Sequence, residues 1–443
     1  MNKLLRSILI ISFALLFVWI NNSAAYELDP ADEAAIGPVG QEIYKIWTDT
    51  IGYSALDLVK EMDPAPEIKP GLVITPENAK NYPGLKKIMP DTMYKRLDPN
   101  HFVPYQKITI VPTRARYWRK ESVVATRDNM GKCKINPDTL MLENYVAGIP
   151  FPRNPNLLEM CWNDVINGVG MEDITYFDPI TTITYNEARK ADSTWKAGLG
   201  WFGVRGRTMN DFDPVTHESA YFKGKGLFQI GIFLLTYPQD LLGIAFLRFR
   251  YWDTNKPDLF MSYLPGMKRI RVLSGSDAQD PMIGSELKWD MWRGDWQKQP
   301  SKTLFPNEYK LLKTQIMLLP VHHYSPALEI QGEAFITQWE KRPVWVFEIT
   351  SLDPAYIYSK RIMYIDMEEF KLNYEEYFDR RGNLWKTWDD IRYRDAEGGS
   401  SWEAGLVLNW ESQRHSVLKM NSKANPDLDP ANFDLRWLNR MAR

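Results

Sequence analysis

Cysteine and histidine are scarce here: two and five residues in a chain of 443. The cysteines, Cys133 and Cys161, have no histidine between them or nearby, so their spacing offers no metal site. His322-His323 is the one histidine pair. Neighbours in a strand point to opposite faces, and Pro320 and Pro326 place the pair in an expected loop. Net charge is lacking too. The formal value of −2 gives no reason to expect nucleic acid or an anionic membrane as partner. The chain contains no H-E-x-x-H, no G-x-S-x-G and no clustered Asp motif. No catalytic residue, metal or cofactor is therefore expected. Gly198 to Gly203 matches G-x-G-x-x-G, but Val204-Arg-Gly206-Arg-Thr follows it and opens no helix, so a dinucleotide site is not expected.

One long apolar stretch, Leu227 to Tyr251, equals a membrane span in length. Pro238, Gln239 and Asp240 interrupt it, and Arg248 and Arg250 end it. Two strands with a Pro-containing connection fit better. In the second, Ala245, Leu247, Phe249 and Tyr251 share one face and Phe246, Arg248 and Arg250 the other, which reads as a half-wet strand. A shorter apolar run lies at the start. Lys3 and Arg6 precede Ile8 to Ile20, and Ser23-Ala24-Ala25 supplies small residues before Tyr26. This pattern predicts a secretory signal peptide over residues 1–25, export, and a periplasmic location with no transmembrane span after cleavage. Removing that segment moves the formal charge from −2 to −4. In an exported chain an even cysteine count favours a Cys133–Cys161 disulfide, worth about 3–4 kcal/mol in the chain-entropy model. Two free thiols are the alternative.

What is abundant is aromatic: 17 Trp, 22 Tyr and 19 Phe. Large rings in a polar chain suit broad amphipathic sheets or an apolar cavity. Residues 26–106 read as an N-terminal helical arm. Helices are expected over 41–59, 76–89 and 91–96. From Lys107 the period becomes two. Strands are expected over 107–111, 181–187, 194–204, the two within 227–251, 258–264, 268–273, 334–339, 344–350, 359–366, 370–375 and from Leu384. Lys341-Arg342-Pro343 reads as a turn, and 274–330 as loops with a helix or two. Lys268-Arg269-Ile270-Arg271 reads as a solvated strand edge. The acidic doublets Glu368-Glu369, Glu375-Glu376 and Asp389-Asp390 read as solvated strand ends. The organisation is a mainly β, α+β chain. A large curved antiparallel sheet or half-barrel with covering helices spans 107–424, and 425–443 forms a tail.

Several segments resemble one family. Asp258 to Leu273 carries tyrosine, two residues, Pro-Gly and a basic run. Asp280 to Leu287, Tyr358 to Asp366, Tyr377 to Trp385, Ile74 to Ala79 and Ala147 to Pro152 match as well. The chain resembles the domain of unknown function 1329 family of exported Gram-negative proteins. Its C-terminal half is similar to the outer-membrane lipoprotein-sorting carriers with the LolA/LolB-like fold. The resemblance implies a half-barrel whose hollow face is covered by helices and holds a lipid or acyl chain. It transfers no binding residues.

The expected function is thus a periplasmic carrier or binding protein for a lipid, acylated or other hydrophobic ligand, related to lipoprotein sorting or envelope lipid transport and not an enzyme. Its partners would be that ligand and an envelope transporter or outer-membrane component. An accessory or structural subunit of an envelope exporter is the alternative, and an envelope hydrolase the second. The expected cavity face is Leu247, Phe249 and Tyr251 with Ala245 on one strand, and Trp345, Phe347 and Ile349 on another. They form unbroken apolar faces opposite Arg248, Arg250 and Glu348.

Overall fold

The computed structural model describes residues 37–166, 174–203, 224–273, 279–291, 299–323, 329–331, 334–394, 398, 400–424 and 436. The expected signal peptide and the expected tail, apart from Arg436, lie outside them, as does the run that follows Gly203. Strands dominate. They are β1 (Val73–Ile74), β2 (Ile108–Ile110), β3 (Lys134–Ile135), β4 (Leu142–Glu143), β5 (Ile174–Tyr185), β6 (Ala191–Gly203), β7 (Leu227–Tyr237), β8 (Ala245–Tyr251) and β9 (Leu259–Leu264). The second half of the chain adds β10 (Arg269–Leu273), β11 (Asn307–His323), β12 (Glu329–Gln331), β13 (Ala334–Ser351), β14 (Lys360–Asp366), β15 (Lys371–Phe378), β16 (Leu384–Arg394), β17 (Ser400–Asn409) and β18 (His415–Ala424). Six α-helices are described: α1 (Gly37–Ile51), α2 (Ala55–Met62), α3 (Leu85–Ile88), α4 (Asp91–Lys95), α5 (Lys120–Asn129) and α6 (Leu157–Ile166).

Sixteen strands form one sheet in the order β1-β2-β13-β14-β15-β16-β17-β18-β5-β6-β7-β8-β9-β10, with β11 and β12 beside β13. Most pairs are antiparallel hairpin neighbours. Two are parallel, β13 with β2 and the end of β11 with the end of β16, so the sheet is mixed. Because β11 also runs along β13, its meeting with β16 requires the sheet to curl there. Among the described residues its end strands, β1 and β10, do not pair, so the whole sheet does not close into a barrel.

Four local expectations change. The helix expected over 41–59 is two helices, because Gly52 at φ +95° ends α1 and Ser54 caps α2 by accepting from the Asp57 N–H at 3.2 Å. The helix expected over 76–89 is reduced to a 3₁₀ turn at Ala79–Asn81 and to α3, with Pro83 between them. The loops expected over 274–330 contain the 17-residue strand β11. Lys341-Arg342-Pro343 makes no turn; it lies inside the 18-residue β13. Proline is tolerated there because β13 changes neighbour, from β2 at Thr337–Trp339 to β14 at Val344–Thr350. The ladder is already interrupted at Pro343, whose carbonyl accepts from Met367 N–H at 3.0 Å.

The two faces of the sheet bury different cores. On one face, Trp345, Phe347, Ile349, Met363, Ile365, Leu372, Trp388, Val407 and Leu418 pack with Trp195 and Phe233 under α1, α5 and α6. The other face carries Val344, Val346, Tyr364 and Tyr374, covered by residues 65–110. Ala404, Leu406, Leu408 and Val417 pack nearby with Val103. The N-terminal arm therefore clamps the sheet between α1 on one side and the 65–110 segment on the other.

Candidate functional site

The helix-covered face is the candidate site, and alternation positions its lining. On β13 the odd residues Trp345, Phe347 and Ile349 face the helices, and even neighbours Val344 and Val346 face the arm. Trp345 meets the Phe370 ring at 5.5 Å, and Trp47 of α1 meets the same ring edge-on at 6.1 Å. Gly405 sits beneath Trp388: a Cβ there would come within 2.6 Å of the indole. The protein's own rings fill this space, with Trp47, Trp118, Trp162, Trp195 and Trp388 fully buried.

The two expected triads do not meet. Phe233 of β7 pairs with Phe246 of β8, and both belong to the helix-covered core. Ile232 pairs with Leu247, and these turn to the opposite face. Leu247, Phe249 and Tyr251 pack there with Ile230, Met261 and Tyr263. A period of two assigns residues of one strand to one face, but it cannot say which faces of two distant strands coincide. Only Trp345, Phe347 and Ile349 remain on the helix-covered side.

The cover is tied down by charges that the sequence reading assigned to solvent. The Asp366–Phe370 turn lies at the centre of a buried cluster. Asp366 accepts from Arg342 at 2.7 and 3.1 Å and from the backbone of Glu368 and Glu369 at 2.8 and 2.9 Å. Glu368 accepts from Tyr44 at 2.7 Å, Ala55 N–H at 3.0 Å, Arg116 N–H at 2.9 Å and Arg342 at 2.9 Å. Trp47 donates to the Glu368 carbonyl at 3.0 Å, and Tyr53 to that of Met367 at 2.6 Å. Arg116 reaches Glu369 at 2.7 Å and also binds Glu340; Arg394 closes on Glu369. Burial alone would raise the Glu369 carboxyl, but Arg394 and Arg116 hold it well below the usual carboxylate range. The cluster joins α1, the start of α2 and the 114–116 segment to β13, β14 and β16.

The other doublets are buried and partnered as well. Thr92 donates to Glu376 at 2.5 Å, Arg96 to Asp389 at 2.6 Å, and Arg392 to Asp390 at 3.0 Å. Tyr377 donates to Glu375 at 2.8 Å. Arg248 and Arg250 are likewise buried, against Asp258 at 2.6 and 3.4 Å, so the expected wet face of β8 is a packed one. Charge content misled the reading because Glu376 and Asp389 find partners from the distant 92–96 segment, while Glu375 and Asp390 are met by Tyr377 and Arg392 on their own strands.

Cys133 and Cys161 are both buried thiols in the helix-covered core, and the expected disulfide is not formed. Cys161 lies mid-helix in α6 and Cys133 precedes β3, each buried in apolar packing, so the even count did not decide the pairing. Burial pushes the Cys133 thiol up to about 12. Among the described residues no group of three His, Cys, Asp or Glu is placed to hold a metal ion. No described helix is long and apolar enough to cross a membrane.

One edge of the covered face is open. A groove of about 460 Å³ runs between α6 and the start of β11, lined by Leu140, Asn156, Leu157, Leu158, Asn307 and Tyr309. Leu157 and Tyr309 pack directly on the helix-covered core, so the groove leads to it. A second groove of about 510 Å³ lies on the arm, among residues 76–80 and 94–101.

Comparison places the chain, with its curled mixed sheet and helix-covered apolar face, in a family. Residues 73–434 match the family described as "Protein of unknown function (DUF1329)", and the chain belongs to it. It is similar to an uncharacterized protein of Pseudomonas aeruginosa, 24% identical over 72% of this chain and 68% of that one. Among solved structures, it is similar to a putative outer membrane lipoprotein-sorting protein domain from Vibrio parahaemolyticus (18% identity, TM-score 0.45, 63% of this chain and 97% of that one). It is also similar to a DUF1329 family protein from Desulfovibrio piger (14%, 0.45, 64% and 100%) and to a LolA superfamily protein from Nitrosomonas europaea (13%, 0.40, 64% and 99%).

Proposed function

We propose that this protein is an exported binding protein that holds the apolar part of a lipid or acylated molecule between the helix-covered face of its sheet and α6. The observation that carries the reading is the groove between α6 and β11, continuous with the largest apolar core. Its volume of about 460 Å³ falls in the ordinary range for small-molecule sites, about 300–1,000 Å³. Apolar area removed from water would supply the affinity. The α1 side is held by the Asp366–Phe370 cluster, so access falls to the α6 side. Trp345, Phe347 and Ile349 are then deeper residues that a long chain would reach as α6 shifts.

The test is mass spectrometry of organic extracts from natively purified protein, together with titration of a fluorescent acyl probe. A co-purifying lipid and saturable probe uptake are expected. Leu158→Asp, at a half-buried groove position, should cut uptake at least about tenfold while leaving the thermal midpoint nearly unchanged. Empty extracts, with probe binding indifferent to Leu158, would overturn the reading. That outcome would favour an accessory envelope subunit, the alternative supported by how completely Trp47, Trp162 and Trp195 already fill the covered face.

A further inference from the structure

The near-neutral net charge conceals an uneven corner at the β7–β10 edge. Strand pairing puts the β7–β8 connection, residues 238–244, and the β9–β10 turn, 265–268, at the same end of the sheet. They touch: a Cβ on Gly243 would lie 3.3 Å from Pro265 Cγ. Four of the eleven exposed large apolar side chains among the described residues fall on these turns and the adjoining edge strand. They are Tyr237 (48% exposed), Leu242 (46%), Met267 (60%) and Val272 (64%). Scattered single apolar residues are ordinary on a surface, whereas a group on adjoining turns marks an interaction site.

Cations surround them. Lys196 pairs in register with Tyr237 and places its Nζ 5.9 Å from that ring. Lys268, Arg269 and Arg271 follow Met267 on the sheet's last strand and are all exposed. Asp240 is the one acidic residue within these turns and β10. Exposed apolar tips flanked by lysine and arginine match a membrane interface. The apolar groups enter the headgroup boundary and the cations meet anionic lipid. A protein partner would be suited by the apolar tips, but gives no reason for three cations against one acid within the turns and β10.

We infer that the 237–244 and 265–272 corner docks the protein on an anionic bilayer surface. This inference stands on the edge of the sheet and does not depend on what the groove by α6 holds.

The experiment is flotation of the full exported chain with extruded vesicles of phosphatidylethanolamine and phosphatidylglycerol, against phosphatidylcholine alone. Binding should favour the anionic vesicles by at least about tenfold at low salt and weaken as salt rises toward 0.5 M, where screening is short-ranged. The double change Lys268→Glu with Arg269→Glu should weaken it on the order of 25-fold or more. Leu242→Asp should weaken it at anionic vesicles, whereas Leu352→Asp, at an exposed site on the β13–β14 connection, should not. A Met267→Cys variant carrying an environment-sensitive dye should shift to the blue on anionic vesicles. Circular dichroism checks that each variant folds. Equal binding to both vesicle types, or no dye shift with binding intact, would overturn the assignment. So would full binding by the charge-reversed variant.

Discussion

The β13–β16 block and the β7–β10 corner belong to one sheet but are held differently. The block is clamped on both faces by the arm, and its charges interlock: Arg116 and Arg342 each meet more than one carboxylate. At the corner, Arg248 and Arg250 share Asp258, and Arg250 also donates to Gln299 at 2.6 Å. The corner's outer turns stay exposed. The block is built to keep segments far apart in sequence in one arrangement, and the corner to present a surface.

The largest effect should come from breaking the block. Arg342→Ala leaves Asp366 and Glu368 buried without their main cation, which should cost about 3–5 kcal/mol. Chemical denaturation should show a large fall in midpoint, and helix α1 should lose hydrogen-exchange protection with it, since Tyr44 and Trp47 bind the same turn. Mild acid comes next. His415 lies fully buried in the Tyr185 stack on the block side, and burial, aided by Arg96, lowers its pKa from 6.5 to about 4. Its folded pKa is depressed, so only the unfolded chain gains the proton between those values. Stability is full above pH 6.5 and falls as pH drops toward 4, by about 2–3 kcal/mol for this residue. Denaturant titration at pH 7.5 and 4.5 measures it, and His415→Phe should remove this residue's share of the dependence, leaving that of His101, whose pKa burial also lowers to about 4. Arg248→Ala should be the mildest, about 1–3 kcal/mol, because Arg250 stays within 3.4 Å of Asp258. A loss equal to that of Arg342→Ala would erase the contrast between the two regions.

Much of the strand content was legible. Alternation over Arg361–Asp366, Phe370–Glu375 and Leu384–Trp388 gave β14 to within a residue and the starts of β15 and β16, which run on to Phe378 and Arg394. The Pro and charges within Leu227–Tyr251 separated β7 from β8. Asn307 to His323 was not legible, because Lys310 to Thr314 is exposed on both faces and carries no clean period. The cluster around Asp366 was missed for a different reason. A Lys-Arg-Pro run looks like a turn, and acidic doublets look solvated, when a charge is judged by its neighbours in sequence. A clue was available: Glu340 to Arg342 interrupts two β-patterned runs without the glycine or asparagine that a tight turn favours.

The sequence by itself determined the mainly β class, most hairpins, the arm's helical character and the family, because these depend on short-range period, turn chemistry and quoted motifs. Only the tertiary structure decided which faces meet. It set Leu247 and Trp345 on opposite sides of one sheet, left two cysteines as separate buried thiols, and turned doublets that read as surface charge into the bond between arm and sheet. The physical reason is that burial and pairing energies are set by groups 200 to 300 residues away along the chain, as with Arg116 to Glu369 and Arg96 to Asp389. No local pattern carries that information.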